Sequence, residues 1–598
     1  MNTFFQKIVH IFNHKLFLSL VIIACVYTQA TQSDRYFGWS NPKNTLSEHD
    51  LVINSDGSGY YVYLPQWFIY SESPNFSFLL NVCKSHHTNK FIAGIGRNND
   101  TGNSTSKYSI GTAVCISPFF LLNHGVQKMV YGKGDGYSKS YQFSIALAAL
   151  FYSLLGLIGL VYLLKRFSLT NFSISLLICF VALGTSENFY ASHNPAFSHV
   201  YSFCVITWLL YFTKLFGDTR KTILLIWISF LLGIVFLLRP TNVLILLFLP
   251  FMFPSVKSFI KEVKLLFSQS KLVVILSVLT LFTIVFSQLY SNYLQFGKWS
   301  LNTYSTEHFD FLFHPKWFEV LFGYEKGYFM YSPLLFLLFP AYFIAFKKNH
   351  YLFLGWLLVF LIFLYLTSSW WCWWYGGGLG MRPFVDITSF IILPIALFYH
   401  QISNWLKLSS VAFAFCGIYM YQIYQIQFKK NILHYDLMTK EKYWSIFMKT
   451  DDRYAWMSHF DEQVIDEKLI KSKKTISFSP IFSVLTYENQ SPRITYITDS
   501  LWGTSKVGIR FKGEMLLTDQ QSNPSFYLEF FDEGKSIKTV DQYIGNRIDE
   551  LKVYYPFSKD YIGDFKYNEF DSVRVTLTKG IPITKIKQIQ CTFYSLID

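Results

Sequence analysis

The sequence predicts a polytopic α-helical membrane protein of about eleven transmembrane helices that carries a C-terminal β-sandwich-like domain. The first reason is composition. Hydrophobic residues make up 52% of the 598 residues and charged residues only 15%, which is too few to cover the surface of a soluble protein of this size. The second reason is a series of long apolar runs in residues 1–427. The third is the alternation of apolar and polar residues in residues 428–598.

The apolar runs define the predicted spans, because about 20 apolar residues are needed to cross the hydrocarbon core of a bilayer. The first run resembles a secretory signal peptide, but the many later runs favour a retained first span, with cleavage after Ala30 as the alternative. The predicted spans are residues 15–31, 142–164, 168–186, 199–217, 222–238, 241–256, 272–295, 330–346, 351–369, 386–400 and 408–427.

Basic residues predict the orientation. If the N-terminus lies inside, alternating spans place the clusters in "LLKRF", "GDTRKT", "VKSFIKEVK" and "FKKNH" on the same side, as the positive-inside rule requires of cytoplasmic loops. The net charge of +14 is therefore interpreted as a topology signal and not as a nucleic-acid surface. Four polar segments then lie outside: a large first loop at 32–141, and shorter segments at 187–198, 296–329 and 370–385.

Two further segments are predicted to lie outside the membrane. Within the first loop, "YSIGTAVCISPFFLLNHGVQKMVY" is broken by Gly and Pro, and we expect short helices along the membrane surface. Residues 428–598 contain runs such as "FYLEFF" and "SVRVTLT" separated by turns, which is typical of a β-sandwich. After an odd number of spans this domain lies on the extracytoplasmic side, where it binds glycan, contacts a partner or covers the site.

The stretch "INSDGSGYYVYLP" contains the first candidate for chemistry. Asp56 is flanked by small residues that permit the close approach of a ligand, and Tyr60 and Tyr61 follow in an aromatic segment. A carboxylate at a helix start can be directed at a ligand, but an ordinary N-capping Asp is equally consistent with the pattern.

Four more polar residues share the predicted external side. Asp135 lies in "GKGDGYSKSYQ", and Glu187, His193 and His199 lie in "GTSENFYASHNPAFSHVY". Each alone is explained by a cap or an interface position. Together they indicate function, because ionisable groups at membrane depth are costly.

Two arginines and a tryptophan cluster complete the candidates. Arg239 in "FLLRPTN" either extends its charge to the membrane surface or binds phosphate, for which a guanidinium group is well suited. The string "SSWWCWWYGGGLGMRPFVD" contains Trp374 and Arg382. An interfacial aromatic belt explains its tryptophans, but it does not explain the glycine run followed by Arg-Pro.

These strings together resemble the GT-C glycosyltransferases, a superfamily of polytopic membrane enzymes. The strings are "SDGSGYYVYLPQ", "GTSENFYASHNPAFSHVYSF", "LLRPTNVLILL" and "WWCWWYGGGLGMRPFVD", and the resemblance covers roughly residues 10–427. The sequence looks most like the RgtA/B/C/D-like set, which is related to protein O-mannosyltransferases and to the aminoarabinose transferase that acts on lipid A.

The resemblance implies a multi-pass enzyme of the bacterial inner membrane with its site on the periplasmic side. Its donor is a polyprenyl-phosphate-linked sugar, and its acceptor is a lipid, a glycan or a protein. Asp56 is implied as the general base of an inverting transfer, and Arg239 and Arg382 are the candidates for stabilising the leaving phosphate. Substrate contacts are expected from the remaining candidates: Tyr60, Tyr61, Asp135, Glu187, His193, His199 and Trp374.

Several points stay open at this stage. Some GT-C enzymes bind a divalent metal ion, for which Glu187 with His193 or His199 offers an incomplete ligand set. Many relatives have an acidic pair near the first-loop motif, whereas Asp56 has only Asp50 and the distant Asp135. The alternatives are a glycolipid transporter or flippase and a non-catalytic scaffold. A transporter is expected to have ionisable residues at the span centres, which here are nearly devoid of charge.

Overall fold

The chain divides into two compact units, Met1–Gln422 and Ile423–Asp598. The predicted domain boundary after residue 427 and the observed division both fall within the helix Asn404–Lys429. The computed structural model describes residues 14–33, 51–71, 76–98, 102–301, 303–304, 307–394, 404–436, 438–451, 454, 470–477, 493–497, 506–517, 525–532, 535–543, 554–564, 572–578 and 584–596.

The first unit is mainly helical. Besides its α-helices it has a π-helix at Gln66–Tyr70, 3₁₀ helices at Lys90–Ile92, Pro240–Met252 and Pro333–Leu337, and a small antiparallel pair of strands. The strands are Ile95–Arg97 and Ser104–Ser106. The α-helices are Lys15–Gln32, Asp56–Tyr61, Tyr63–Pro65, Phe78–Ser85, Gly111–Tyr131, Lys139–Lys165, Asn171–Gly184, Ser186–Ser192, His199–Thr219, Leu224–Leu238, Val256–Gln269, Lys271–Phe296, Trp317–Phe322, Tyr328–Tyr331, Leu338–Lys348, His350–Ser369, Pro383–Asp386, Thr388–Ile391 and Asn404–Lys429.

Within the described part of the chain, five helices are long and apolar enough to cross a membrane, or up to seven spans if each of two bent helix pairs counts as one. The chain is therefore a multi-pass membrane protein, while the count of about eleven spans stays a prediction. The five helices are Lys15–Gln32, Lys139–Lys165, His199–Thr219, Lys271–Phe296 and His350–Ser369.

Several predicted spans are shorter or broken in the structure. The run at 222–238 forms the 15-residue helix Leu224–Leu238. The run at 241–256 begins as a 3₁₀ helix whose continuation is bent by 100°. Proline explains this break, because Pro254 disfavours helical backbone at the preceding Phe253, which is extended, and Pro250 removes a donor. The end of the run at 386–400 lies outside the described residues.

The segment predicted as short surface helices is one continuous helix. Gly111–Tyr131 runs for 21 residues with Pro118 inside it. Gly and Pro suggested breaks, but an internal proline removes only one hydrogen bond and membrane-associated helices tolerate it.

Two packed helices form the base of the region that carries most of the predicted site residues. Lys139–Lys165 lies against His199–Thr219, where the indole Nε1 of Trp208 donates to the carbonyl of Leu155 at 3.0 Å. The turn between Asn171–Gly184 and Ser186–Ser192 bends the chain by 61°. Thr185 makes this turn in extended backbone, and its hydroxyl accepts from the amide of Glu187 at 3.3 Å, as an N-cap residue does.

The described residues of the second unit form two four-stranded antiparallel sheets. Phe530 of one sheet lies 6.0 Å from Tyr561 of the other, measured between ring centroids, so the sheets are in contact. A β-sandwich domain stays a prediction. The strand order of the first sheet is Ile470–Ser477, Thr584–Leu596, Lys506–Leu517, Tyr554–Asp564, and that of the second is Arg493–Ile497, Ser572–Thr578, Ser525–Asp532, Lys535–Tyr543.

Candidate active site

Asp56 is the first residue of the short helix Asp56–Tyr61. The preceding Ser55 has a φ of 48°, an uncommon conformation that places the carboxylate at the turn into the helix. Gly59 lets the helix lie directly against Tyr108, since a Cβ at this position would come within 2.2 Å of the tyrosine ring. The small residues predicted to admit a ligand therefore also admit the protein's own side chains.

Two side chains hold the Asp56 carboxylate. Nη2 of Arg382 lies 2.8 Å from Oδ2, and the hydroxyl of Tyr108 donates to Oδ1 at 2.8 Å. Burial by itself raises the pKa of Asp56, but Arg382 and the Tyr108 hydroxyl more than offset it, so the pKa lies below its ordinary value. The side chain is still 22% exposed. Asp56 is thus an ionised carboxylate that solvent can reach.

The loop before Arg382 depends on glycine. Gly380 has a φ of +69°, and a Cβ there would come within 2.6 Å of the Ser186 hydroxyl. The buried ammonium group of Lys326 donates to the carbonyl of Gly378 at 2.5 Å. The glycine run therefore packs against the helix Ser186–Ser192 and places Arg382 beside Asp56.

A second carboxylate, Asp386, is fully buried and also lies beside an arginine. His199 Nδ1 donates to Oδ1 at 2.7 Å, and Asn242 Nδ2 donates to Oδ2 at 2.8 Å. Nε of Arg239 lies 3.7 Å from Oδ2. Because the carboxylate only accepts, Nδ1 of His199 carries the proton, and the contact of 3.3 Å between Arg239 Nη1 and that nitrogen is not a hydrogen bond.

Tyr60 lies between the two acid–arginine pairs. Its ring centroid is 4.6 Å from that of Tyr108, and its hydroxyl accepts from Ser198 at 3.3 Å. Burial raises the pKa of Tyr60, while Arg239 and Arg382 both act to lower it. Arg382 also lies over the ring of Phe197 at 5.5 Å, and that ring stacks on His199 with centroids 6.3 Å apart, so the two pairs belong to one site.

Tyr190 adds an aromatic wall to this site. Its ring centroid lies 4.5 Å from that of His199. Its hydroxyl is buried without a hydrogen-bond partner among the described residues. An unsatisfied buried hydroxyl is uncommon and is consistent with a place for a polar ligand.

Three predicted site residues lie in structural networks instead. Glu187 is fully buried and accepts from Gln29 Nε2 at 2.8 Å and from the Ser153 hydroxyl at 2.7 Å. Tyr61 is fully buried, and its hydroxyl donates to the carbonyl of Gly136 at 2.5 Å. Asp135 pairs with His86 at 2.8 Å.

Asp135 also orders the turn before the helix Lys139–Lys165. Its Oδ1 accepts from the amides of Tyr137 and Ser138, both at 2.9 Å. Burial raises its pKa, but the bonds from His86 and these amides lower it to about 2. Its role as a second acid beside Asp56 stays a prediction, and Asp50 lies outside the described residues.

The last two predicted residues have aromatic neighbours. The ring of His193 stacks on Phe189 with centroids 5.2 Å apart, and its Nδ1 lies 2.7 Å from the Ser192 hydroxyl. Trp374 lies 5.6 Å from Trp373, between ring centroids, and is partly exposed.

The described residues do not fit a divalent metal ion. They contain no group of three His, Cys, Asp or Glu side chains suited to hold one. Glu187 is bonded to Gln29 and Ser153, whereas His199 is bonded to Asp386, so these two candidate ligands have other partners. No step of the chemistry below depends on a metal.

Sequence reasoning missed four members of the site: Tyr108, Tyr190, Asn242 and Asp386. All four lie inside strings already quoted, since Tyr108 begins "YSIGTAVCISPFFLLNHGVQKMVY", Tyr190 belongs to "GTSENFYASHNPAFSHVY", Asn242 belongs to "LLRPTN" and Asp386 follows Arg382 in "MRPFVD". A search for an acid that partners each arginine could have found Asp386. Tyr108 begins the segment predicted to form surface helices, and its residue type alone does not distinguish it there from the other aromatic residues.

Comparisons with known proteins give distant similarities. No protein-family model and no curated protein matches the chain. Among solved structures, it is similar to the apo oligosaccharyltransferase of Archaeoglobus fulgidus, with a TM-score of 0.39 and 11% identity over 73% of this chain and 60% of that chain. It is also similar to the arabinosyltransferase EmbB of Mycobacterium smegmatis, with a TM-score of 0.37 and 8% identity over 96% of this chain and 64% of that chain.

The chain thus spans less than two thirds of each of these structures. Both are named as transferases of sugars, the class of enzyme that the sequence resembles.

Proposed function

We propose that the chain is a membrane glycosyltransferase that moves a sugar from a polyprenyl-phosphate-linked donor to a lipid, glycan or protein acceptor. The observation that carries this proposal is the arrangement around Asp56. An ionised, partly exposed carboxylate stands beside Arg382 and shares a site with a second arginine, Arg239. A base and two cations are what transfer from a sugar phosphate requires.

In the proposed reaction, Asp56 accepts the proton of the acceptor hydroxyl as that oxygen bonds to the anomeric carbon. The bond between the anomeric carbon and the phosphate oxygen breaks, and its electron pair leaves with the phosphate. Arg239 and Arg382 stabilise the negative charge on this leaving group.

The donor phosphate has a second effect in this proposal. Arg382 holds Oδ2 of Asp56 at 2.8 Å, and this ion pair lowers the basicity of the carboxylate while it is intact. A bound phosphate competes with Asp56 for the guanidinium group. Donor binding would therefore separate Asp56 from Arg382, so that Asp56 can accept the proton of the acceptor hydroxyl.

We propose that Asp386 positions the side chains of Arg239 and His199. Its two oxygens bind His199 and Asn242, and its charge lies beside Arg239. With Nδ1 of His199 protonated, Nε2 is the acceptor nitrogen of that ring. Asp386 thus fixes both the arginine and the histidine, acting through them and not on the substrate.

The same proposal includes the number of spans, the side of the membrane on which the site lies, and the role of the second unit. The first unit forms about eleven spans, and the site and the second unit lie on the periplasmic side of the bacterial inner membrane. The two contacting sheets form a β-sandwich that covers the site, binds glycan or contacts a partner.

The test uses the full-length chain in proteoliposomes with a panel of polyprenyl-phosphate sugars and membrane lipid acceptors. Asp56→Asn keeps the size of the side chain but removes the base, so we expect transfer to fall at least about a hundredfold. Asp218→Asn makes the same change at a surface carboxylate that pairs with Arg166 outside the candidate site, and it should transfer normally. The readout is labelled sugar in the acceptor and released polyprenyl phosphate.

The outcome also separates the alternatives. A wild-type rate for Asp56→Asn would show that Asp56 is not the general base. Movement of intact labelled glycolipid across the vesicle, without cleavage of the sugar–phosphate bond, would identify a flippase instead.

A further inference from the structure

The helix Val256–Gln269 differs from the spans that surround it. None of its 14 residues is buried. It follows the apolar segment Pro240–Met252 at a bend of 100° and directly precedes Lys271–Phe296, which is long and apolar enough to cross a membrane. A helix that turns away from one apolar segment by a right angle just before another begins is placed to lie along the membrane surface.

One side of this helix docks on the protein. Nε of Arg220 lies 3.3 Å from Oε1 of Glu262, and Nη2 of Arg220 donates to the Ser258 hydroxyl at 3.3 Å. The ring of Phe259 lies 5.2 Å from that of Phe253, between centroids. These contacts neutralise Glu262, which is the only acidic residue of the helix, and they turn the opposite side outward.

The outward side combines apolar and basic residues. Val256, Ile260 and Phe267 are 48%, 46% and 63% exposed. Next to them are three exposed lysines: Lys257, Lys261 and Lys264. Their spacing of four and three residues places them on one face. None of the three forms a salt bridge within the described part of the chain.

We propose that this row of lysines binds the phosphate headgroups of anionic phospholipids while the apolar strip enters the acyl boundary. Each element matches one part of such a lipid. The lysines supply charge without a competing acid, Arg220 holds the helix in place, and the exposed Ile260 and Phe267 supply apolar surface at the depth of the headgroups. This inference is independent of the proposed sugar transfer.

The experiment measures the binding of phosphatidylglycerol to the full-length protein in detergent, by native mass spectrometry and by the shift in melting temperature. The test variant carries Lys257→Gln, Lys261→Gln and Lys264→Gln. Its matched control carries Lys84→Gln, Lys128→Gln and Lys133→Gln, which remove the same charge from exposed lysines elsewhere. We expect the affinity of the test variant to fall at least about tenfold and that of the control to be unchanged.

Two further measurements make the result decisive. Phe267→Ser keeps all the lysines and should weaken the retention of phosphatidylglycerol, because it removes apolar contact with the acyl boundary. Wild-type protein should prefer phosphatidylglycerol to phosphatidylcholine, and inorganic phosphate should not reproduce the melting shift. The proposal is overturned if wild type shows no preference, if both lysine variants lose affinity equally, or if phosphate alone gives the same shift.

Discussion

At the scale of single residues, the site contains two carboxylates, and each of them lies beside its own arginine. Asp56 is partly exposed and bound by Arg382 and Tyr108, whereas Asp386 is fully buried and bound by His199 and Asn242. The exposed acid is suited to contact substrate and the buried one to hold other side chains. Two acids of the same type are thus suited to different purposes because their surroundings differ.

The hydroxyl of Tyr108 should set the pH dependence of transfer. It donates to Asp56 and lowers the pKa of that carboxyl, so Tyr108→Phe raises that pKa. Because Asp56 must be ionised to act as a base, the acidic limb of the rate–pH profile should move to higher pH. Tyr27→Phe, at an exposed tyrosine of the first helix, is the control. An unchanged acidic limb in Tyr108→Phe would mean that Asp56 is not the titrating base.

Asp386 should affect donor binding through Arg239. Asp386→Asn removes the charge beside Arg239 and the acceptor that holds Nδ1 of His199, so we expect the KM for the donor to rise about tenfold or more. Asp218→Asn, in a surface pair with Arg166, should leave the KM unchanged. Loss of kcat at constant KM would assign Asp386 another role, and its melting temperature shows whether the variant folds.

At the scale of elements, the site residues lie in or next to short helices and a short strand, and the long helices support these elements. Asp56 begins a six-residue helix, Tyr108 follows a three-residue strand, and Arg382 precedes the four-residue helix Pro383–Asp386. The hydroxyl of Ser106 donates to the carbonyl of Gly59 at 2.8 Å, which ties the strand pair to the helix of Asp56.

The contact between Gly59 and Tyr108 gives a test at this scale. Gly59→Ala places a methyl group where the Tyr108 ring lies, so we expect a loss of about 1–3 kcal/mol of stability together with reduced transfer. Gly125→Ala, inside the helix Gly111–Tyr131, meets nothing within 4 Å and should be neutral or slightly stabilising. Melting in detergent and transfer rates are measured for both. Equal behaviour of the two variants would contradict the packing argument.

At the scale of the whole molecule, the predicted orientation determines which loops face which side of the membrane. The predicted orientation places the first loop outside and the basic helix Val256–Gln269 inside. In intact cells, a membrane-impermeant maleimide should label Lys133→Cys but label Lys264→Cys only after permeabilisation. Unmodified protein, which contains eight cysteines, provides the background. Labelling of both positions in intact cells would contradict the orientation.

The sequence by itself determined the properties that depend on local composition and period. Apolar content identified a membrane protein, and the strings around Asp56, Tyr60, His199, Arg239 and Arg382 marked residues that the structure brings into one site. Ionisable groups next to long apolar runs are costly, and this makes them visible without a structure.

Only the tertiary structure decided which of these groups meet and which do not. It paired Asp56 with Arg382, added Tyr108 and Asp386, and placed Glu187 with Gln29 and Ser153. Proline and glycine breaks also turned several apolar runs into bent or shortened helices. The physical reason is that the partners of a buried charge come from segments far apart in the chain, which meet only when the protein folds. A local sequence pattern therefore cannot identify these partners.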